Sequence, residues 1–104
     1  MTLGFIAGFT GIEIQRKTSK IGICCDFITL RKGCSRINVK MKDFDGTEIN
    51  GMGPEIDSIA VEQLMSQLKK LEQGDVLVLA GSIPPTMPDT IYCDILSVLE
   101  DKGI

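Results

Sequence analysis

The sequence predicts an α/β fold, a segment of a doubly wound parallel sheet with an inserted antiparallel flap. Three observations lead there. Two short apolar runs, at residues 3–6 and 76–80, stand next to helical patterns, as buried parallel strands do. Between them, residues 36–42 and 47–50 alternate polar and apolar around an acidic turn containing Gly46, as in a hairpin with one wet face. Finally, two buried strands cannot cover their own faces, so the 104 residues are expected to be one part of a larger α/β domain.

The first run, 3–6, ends in Gly-rich backbone. Thr10 followed by Glu13 has the spacing of a capping box, and Gly22 stands at a helix C-terminus, so the spacing predicts a helix over 11–21. Ile14 and Ile21 give that helix only a thin apolar stripe. Residues 26–30, 36–42 and 47–50 are then expected to form a three-stranded antiparallel flap. Ile37, Val39 and Met41 share one face of it, and Arg36, Asn38, Lys40 and Lys42 the other. Asp57 or Ser58 caps the next helix, in which Val61, Leu64, Met65, Leu68 and Leu71 recur at helical spacing until Gln73-Gly74. Residues 76–80 are expected to be a strand covered on both faces. Thr86 and Asp89 read as a second capping box, opening a helix with Ile91, Tyr92, Ile95, Val98 and Leu99 inward and Lys102-Gly103 at its end. The chain 1–104 thus divides into core pieces, 1–25 and 57–104, and a flap, 26–56.

Composition removes several function classes. The net charge of −3 argues against nucleic acid as a partner, though a local basic patch can still hold a small anion. The uncharged run 1–12 is too short to span a membrane and lacks the basic flank of a signal peptide. Histidine is absent, which excludes Ser–His and Cys–His nucleophiles and imidazole metal sites within the chain. The four cysteines include the vicinal pair Cys24-Cys25 but no C-x-x-C, so neither a zinc knuckle nor a redox motif is present. Reduced thiols in a cytoplasmic protein, packed as small apolar groups, are the expectation.

The chemistry-bearing candidates are few. Ala80-Gly81-Ser82-Ile83-Pro84 follows an apolar run and precedes a helix, where open α/β sheets bind anions. Gly81 would let a ligand approach the backbone and Ser82 offers a hydroxyl; a plain strand-to-helix turn is the alternative. On the flap, Arg36 can grip a phosphate through paired hydrogen bonds, against the alternative of a solvated strand face. Lys40 and Lys42 read as solvated. Glu48, Glu55 and Asp57 have no spacing that specifies acid–base work, and no phosphate-binding P-loop motif occurs. The residues alone therefore describe an anion-binding part of an α/β protein.

The stretches GFIAGFTG, CDFITL, SRINVKMK, TEINGMGPEI and GDVLVLAGSIPPTMP, in that order, resemble the ribokinase-like, phosphofructokinase B-type sugar kinases, in particular their 1-phosphofructokinase branch. TEINGMGPEI is the most discriminating stretch. The resemblance implies an α/β core with a β lid that covers the sugar and pairs with the lid of a second subunit, giving a homodimer. It implies that Arg36 binds the phosphate already on the sugar, with Asn38 on the ligand-facing side and Gly81 and Ser82 at the sugar-phosphate end of the core. It further implies an ATP- and Mg²⁺-dependent cytoplasmic kinase acting on fructose 1-phosphate, with tagatose-6-phosphate kinase and a non-catalytic lid-type binding module as alternatives. The family's Gly-Gly-Lys-Gly and Gly-Ala-Gly-Asp motifs, the latter holding the base and anion hole, do not occur in this sequence, nor does the nucleotide pocket. Ala7 stands where the family usually has Gly, and Thr18 where it has an apolar residue. The 104-residue chain by itself is accordingly expected to release no ADP above a no-protein control in a coupled assay with ATP and a sugar phosphate; measurable turnover would mean that the catalytic groups lie within it.

Overall fold

Parallel strands need a long crossover, and residues 7–24 supply one. In the computed structural model, which describes residues 1–43 and 45–104, β1 (Thr2–Ile6) leads into helix α1 (Gly8–Lys20) and returns as β2 (Cys25–Thr29), parallel to β1 with Thr2 opposite Cys25 and Ile6 opposite Thr29. Hydrogen bonds from Thr2 N–H to Cys24 O and from Leu30 N–H to Ile6 O, both 2.8 Å, extend the ladder at each end. This corrects the flap: residues 26–30 belong to a core βαβ unit. The flap is two-stranded, β3 (Asn38–Lys40) against β4 (Glu48–Asn50). The strands among the described residues form two two-stranded sheets, one parallel and one antiparallel.

The chain divides into two compact units, Met1–Glu55 and Ile56–Ile104. In the first, Ile6, Ala7, Ile28 and Leu30 are the buried apolar residues, and Gly11 is the buried residue of α1. The expected stripe of Ile14 and Ile21 is exposed instead. Helix α1 turns its small residues to the sheet because Gly11 lies against Ile6 and Ser35. A Cβ on Gly11 would sit 2.9 Å from Ile6 Cβ and 3.0 Å from Ser35 Oγ. Gly8, at φ +60, has the same constraint: a Cβ there would strike Cys34 Sγ and lie 2.7 Å from Gly33 O.

The first capping box does not form. Helix α1 begins at Gly8 with Ala7 as N-cap and no side-chain cap, because the Thr10 hydroxyl donates to Ser35 O (2.8 Å). Glu13 instead receives Arg16 Nε and Nη2 at 2.8 and 2.7 Å, an exposed pair that holds the Glu13 carboxyl below its ordinary value. Thr18 fits the helix by bonding back to Ile14 O at 2.7 Å.

In the second unit, Asp57 caps α2 (Ser58–Leu68) by accepting from Ala60 N–H at 2.8 Å, as its position predicts. The helix stops at Leu68, short of Leu71, and Lys102 donates to the carbonyls of Lys69 and Leu71 just beyond it. Helix α3 (Ile91–Leu99) packs on α2 and buries Ile91, Ile95 and Leu99, one per turn, whereas Val98 is exposed. The second capping box is also absent: Thr86 Oγ1 accepts from Ile56 N–H at 3.3 Å, and Thr90 is the N-cap. Residues 76–80 form no ladder. Leu77 and Leu79 are half-buried, but Val76 and Val78 are 86% and 77% exposed, since no neighbouring strand covers them among the described residues.

Gly11→Ala isolates the close approach of α1. In an open helix this change gains up to about 1 kcal/mol. Here the added methyl has nowhere to go, so urea unfolding is expected to show a loss of roughly 1–3 kcal/mol. An unchanged or raised midpoint would mean that Ile6 and Ser35 move aside freely.

Candidate functional site

The hairpin is built by its register. Asn38 faces Asn50, Val39 faces Ile49 and Lys40 faces Glu48, so the polar residues share one face. Asp45 (φ 44) and Gly46 (φ 74) turn the chain, the left-handed geometry that matches strand twist in hairpins. Phe44 lies outside the described residues. Lys40 Nζ stands 3.4 Å from Glu48 Oε1, an exposed cross-strand pair, so its charge is met locally. Arg36 lies just before the hairpin; it is exposed and has a partner within the chain.

Two features fix the backbone around Arg36. Ser35 is held to the turn between β1 and α1. Its N–H donates to Ala7 O (2.9 Å), its hydroxyl accepts from Ala7 N–H (3.0 Å), and its carbonyl accepts from Thr10 Oγ1 (2.8 Å). After β4, Gly51 N–H donates to Ile37 O at 3.0 Å. Ser35 and Gly51 lie within SRINVKMK and TEINGMGPEI, but nothing local in the sequence gives either residue this role.

The other two candidates belong to the second unit. Gly81 adopts φ +87 with open space where a Cβ would be, so conformation and not crowding demands glycine there. Ser82 is exposed and has a partner in the chain. The Tyr92 hydroxyl stands 2.9 Å from Ala80 O and 3.0 Å from Gly81 O, so its single proton ties α3 to this turn. Helical spacing had marked Tyr92 as core; its ring is half-buried and its hydroxyl holds the turn. Arg36 and Asn38 thus lie in one unit, Gly81 and Ser82 in the other.

The carboxylates near the hairpin have local roles or face solvent. Glu48 pairs with Lys40, Asp57 is a cap, and Glu55 is exposed. Among the described residues no group of three or more His, Cys, Asp or Glu could hold a metal ion. The cysteines are all free, but Cys24, Cys34 and Cys93 are exposed and only Cys25 is half-buried, correcting the expectation of packed thiols.

A scan against protein-family models finds no match. Among curated proteins, the chain is 43% identical over 90 residues to a 1-phosphofructokinase of Bacillus subtilis, covering 86% of this chain and 29% of that protein. It is 35% identical over 100 residues to the 1-phosphofructokinase of Borreliella burgdorferi, covering 95% and 32%. Over most of its length the chain is similar to 1-phosphofructokinases. It spans about a third of the length of the curated relatives it matches. A solved Staphylococcus aureus structure assigned as a phosphofructokinase superposes with a TM-score of 0.86 at 38% identity, over 97% of this chain and 33% of that one. Phosphofructokinase-2 of Escherichia coli in complex with fructose 6-phosphate, at 19% identity and a TM-score of 0.78, shares the fold over 98% of this chain and 34% of its own.

Tyr92→Phe removes the hydroxyl while keeping the ring. The expected result is a loss of roughly 0.5–1.5 kcal/mol, with faster amide exchange through residues 81–83. Unchanged exchange there would show that Gly81 and Ser82 hold their turn without it.

Proposed function

We propose that the protein carrying this segment is an ATP-dependent kinase of ketohexose phosphates, converting fructose 1-phosphate to fructose 1,6-bisphosphate. The observation that carries the reading is Arg36. It stands at the entry of the hairpin on a backbone held on both sides. A guanidinium offers two parallel donors to a phosphate, and the phosphate of the substrate is present before any transfer begins. Asn38, next along the polar face, supplies an amide for a sugar hydroxyl. Ser82 and the turn opened by Gly81 supply a hydroxyl and backbone amides at the sugar-phosphate end. The hairpin acts as a lid that excludes water from the sugar.

Phosphoryl transfer depends on positioning and on neutralising charge. On this reading ATP and Mg²⁺ bind outside these 104 residues, as do the base and anion hole of the family's Gly-Ala-Gly-Asp motif, which the sequence does not contain. A second reading, a tagatose-phosphate kinase, is favoured by a D-tagatose-1-phosphate kinase of Bacillus licheniformis that is 30% identical over 98% of this chain. A non-catalytic binding module remains the reading from another class, and turnover by the full-length protein decides against it. Free cysteines fit a reducing, cytoplasmic setting.

The apolar face of the hairpin supports a dimer. Ile37 and Ile49 are 62% and 59% exposed, beside Val39 and Met41, and such a contiguous face usually marks an interface. Light scattering of the full-length protein at about 100 μM, where an interface worth about 8 kcal/mol is populated, is expected to show dimers or larger assemblies. A monodisperse monomer would refute the lid-to-lid contact.

In the full-length protein, Arg36→Ala is expected to raise the sugar-phosphate KM about 10- to 150-fold, the loss of a contact worth roughly 1.5–3 kcal/mol. Arg36→Lys recovers part of this, and the KM for ATP stays where it was. A rise in the ATP KM alone would move Arg36 to the nucleotide side. No change in either would leave it a solvated residue.

A further inference from the structure

Arg36 lies between two residues whose peptide groups are pinned from different parts of the first unit. Upstream, Ser35 is bound to the turn between β1 and α1 by the three hydrogen bonds to Ala7 and Thr10. Downstream, Ile37 O accepts from Gly51 N–H at 3.0 Å. The approach of Gly51 is so close that a Cβ would lie 2.7 Å from Ile37 O, 3.2 Å from Ile37 N and 3.5 Å from Arg36 Cβ. Strand β3 itself starts only at Asn38, so both restraints act outside the three-residue strand.

We propose that the Ser35 clasp and Gly51 form a two-point clamp that sets the direction in which the Arg36 side chain leaves the backbone. Thr10 and Gly51 are thereby positioning residues for the sugar phosphate. The clamp rests on the assignment of Arg36 to that phosphate. Its physical basis is geometric. Ser35 O fixes the peptide plane that enters residue 36 and Ile37 O fixes the plane one residue beyond it, so the backbone between them has little freedom to redirect the Arg36 Cα–Cβ bond, and a two-pronged contact tolerates little misalignment. The simpler alternative is that the same bonds only hold the hairpin in place. The two differ in what they do to substrate binding.

The test uses the full-length protein with ATP and the better of fructose 1-phosphate and tagatose 6-phosphate. KM values are measured for Thr10→Val, Thr10→Ser and Gly51→Ala, each with Arg36 present and with Arg36→Ala. Thr10→Val and Gly51→Ala are expected to raise the sugar-phosphate KM up to about 10-fold with the ATP KM unmoved. Thr10→Ser, which keeps the hydroxyl, restores it. Both increases vanish in the Arg36→Ala background, because residues acting through one contact are not additive. If Arg36→Ala raises the KM but the other changes do not, or persist undiminished without Arg36, the clamp is wrong and the Arg36 assignment stands. A lowered Tm with KM unmoved likewise reduces these residues to supports of the fold. If Arg36→Ala leaves the KM unchanged, or neither sugar phosphate is turned over, the assignment and the clamp fall together. Should Gly51→Ala not fold, the Thr10 pair decides alone.

Discussion

The start of α1 and the path of the chain into the hairpin depend on the hydrogen bonds between Ser35 and the turn at residues 7–10. Those bonds require backbone to approach backbone, which a side chain at residue 8 or 11 would prevent. Their geometry explains why α1 begins at Gly8, why Thr10 does not cap it, and why the chain leaving β2 is brought back to the start of the helix before entering the hairpin. The apolar core around it is small, a few residues from β1, β2 and their ends. In such a small core, directional bonds fix what hydrophobic burial alone would leave adjustable.

The second unit is organised differently. Its core comes from facing turns of α2 and α3, and its loops are tied by single side chains: Lys102 on the carbonyls after α2, Tyr92 on those of Ala80 and Gly81, Thr86 on Ile56 N–H. Each bond crosses a gap that helix packing leaves open. Together they place the Gly81–Ser82 turn beside α3, while Val76 and Val78 present an apolar edge. Two exposed valines at alternate positions are what a sheet strand shows without its neighbours. That is consistent with a chain spanning about a third of its relatives.

Identity to curated 1-phosphofructokinases and a close structural match point the same way as the residues. The functional reading then turns on local electrostatics. Lys40 and Glu48 neutralise one another across the hairpin, so the hairpin's polar face is not uniformly basic. Global charge, −3 for the chain, says nothing about this.

By itself the sequence determined the α/β class, the helices at α2 and α3, the Asp57 cap and the alternation of the hairpin, because each depends on periodicity or on contacts between near neighbours. The resemblance carried by SRINVKMK and TEINGMGPEI was legible for the same local reason. Tertiary structure decided where strand 25–29 pairs, since a five-residue run reads alike in a flap and in a parallel core. It decided both failed capping boxes as well: Thr10 and Thr86 were drawn to Ser35 and Ile56, partners 25 and 30 residues away. Gly51 and Tyr92 acquired their roles in the same way, from groups that meet only once the chain has folded. Spacing encodes what neighbours do for each other; hydrogen bonds between distant residues are set by the fold.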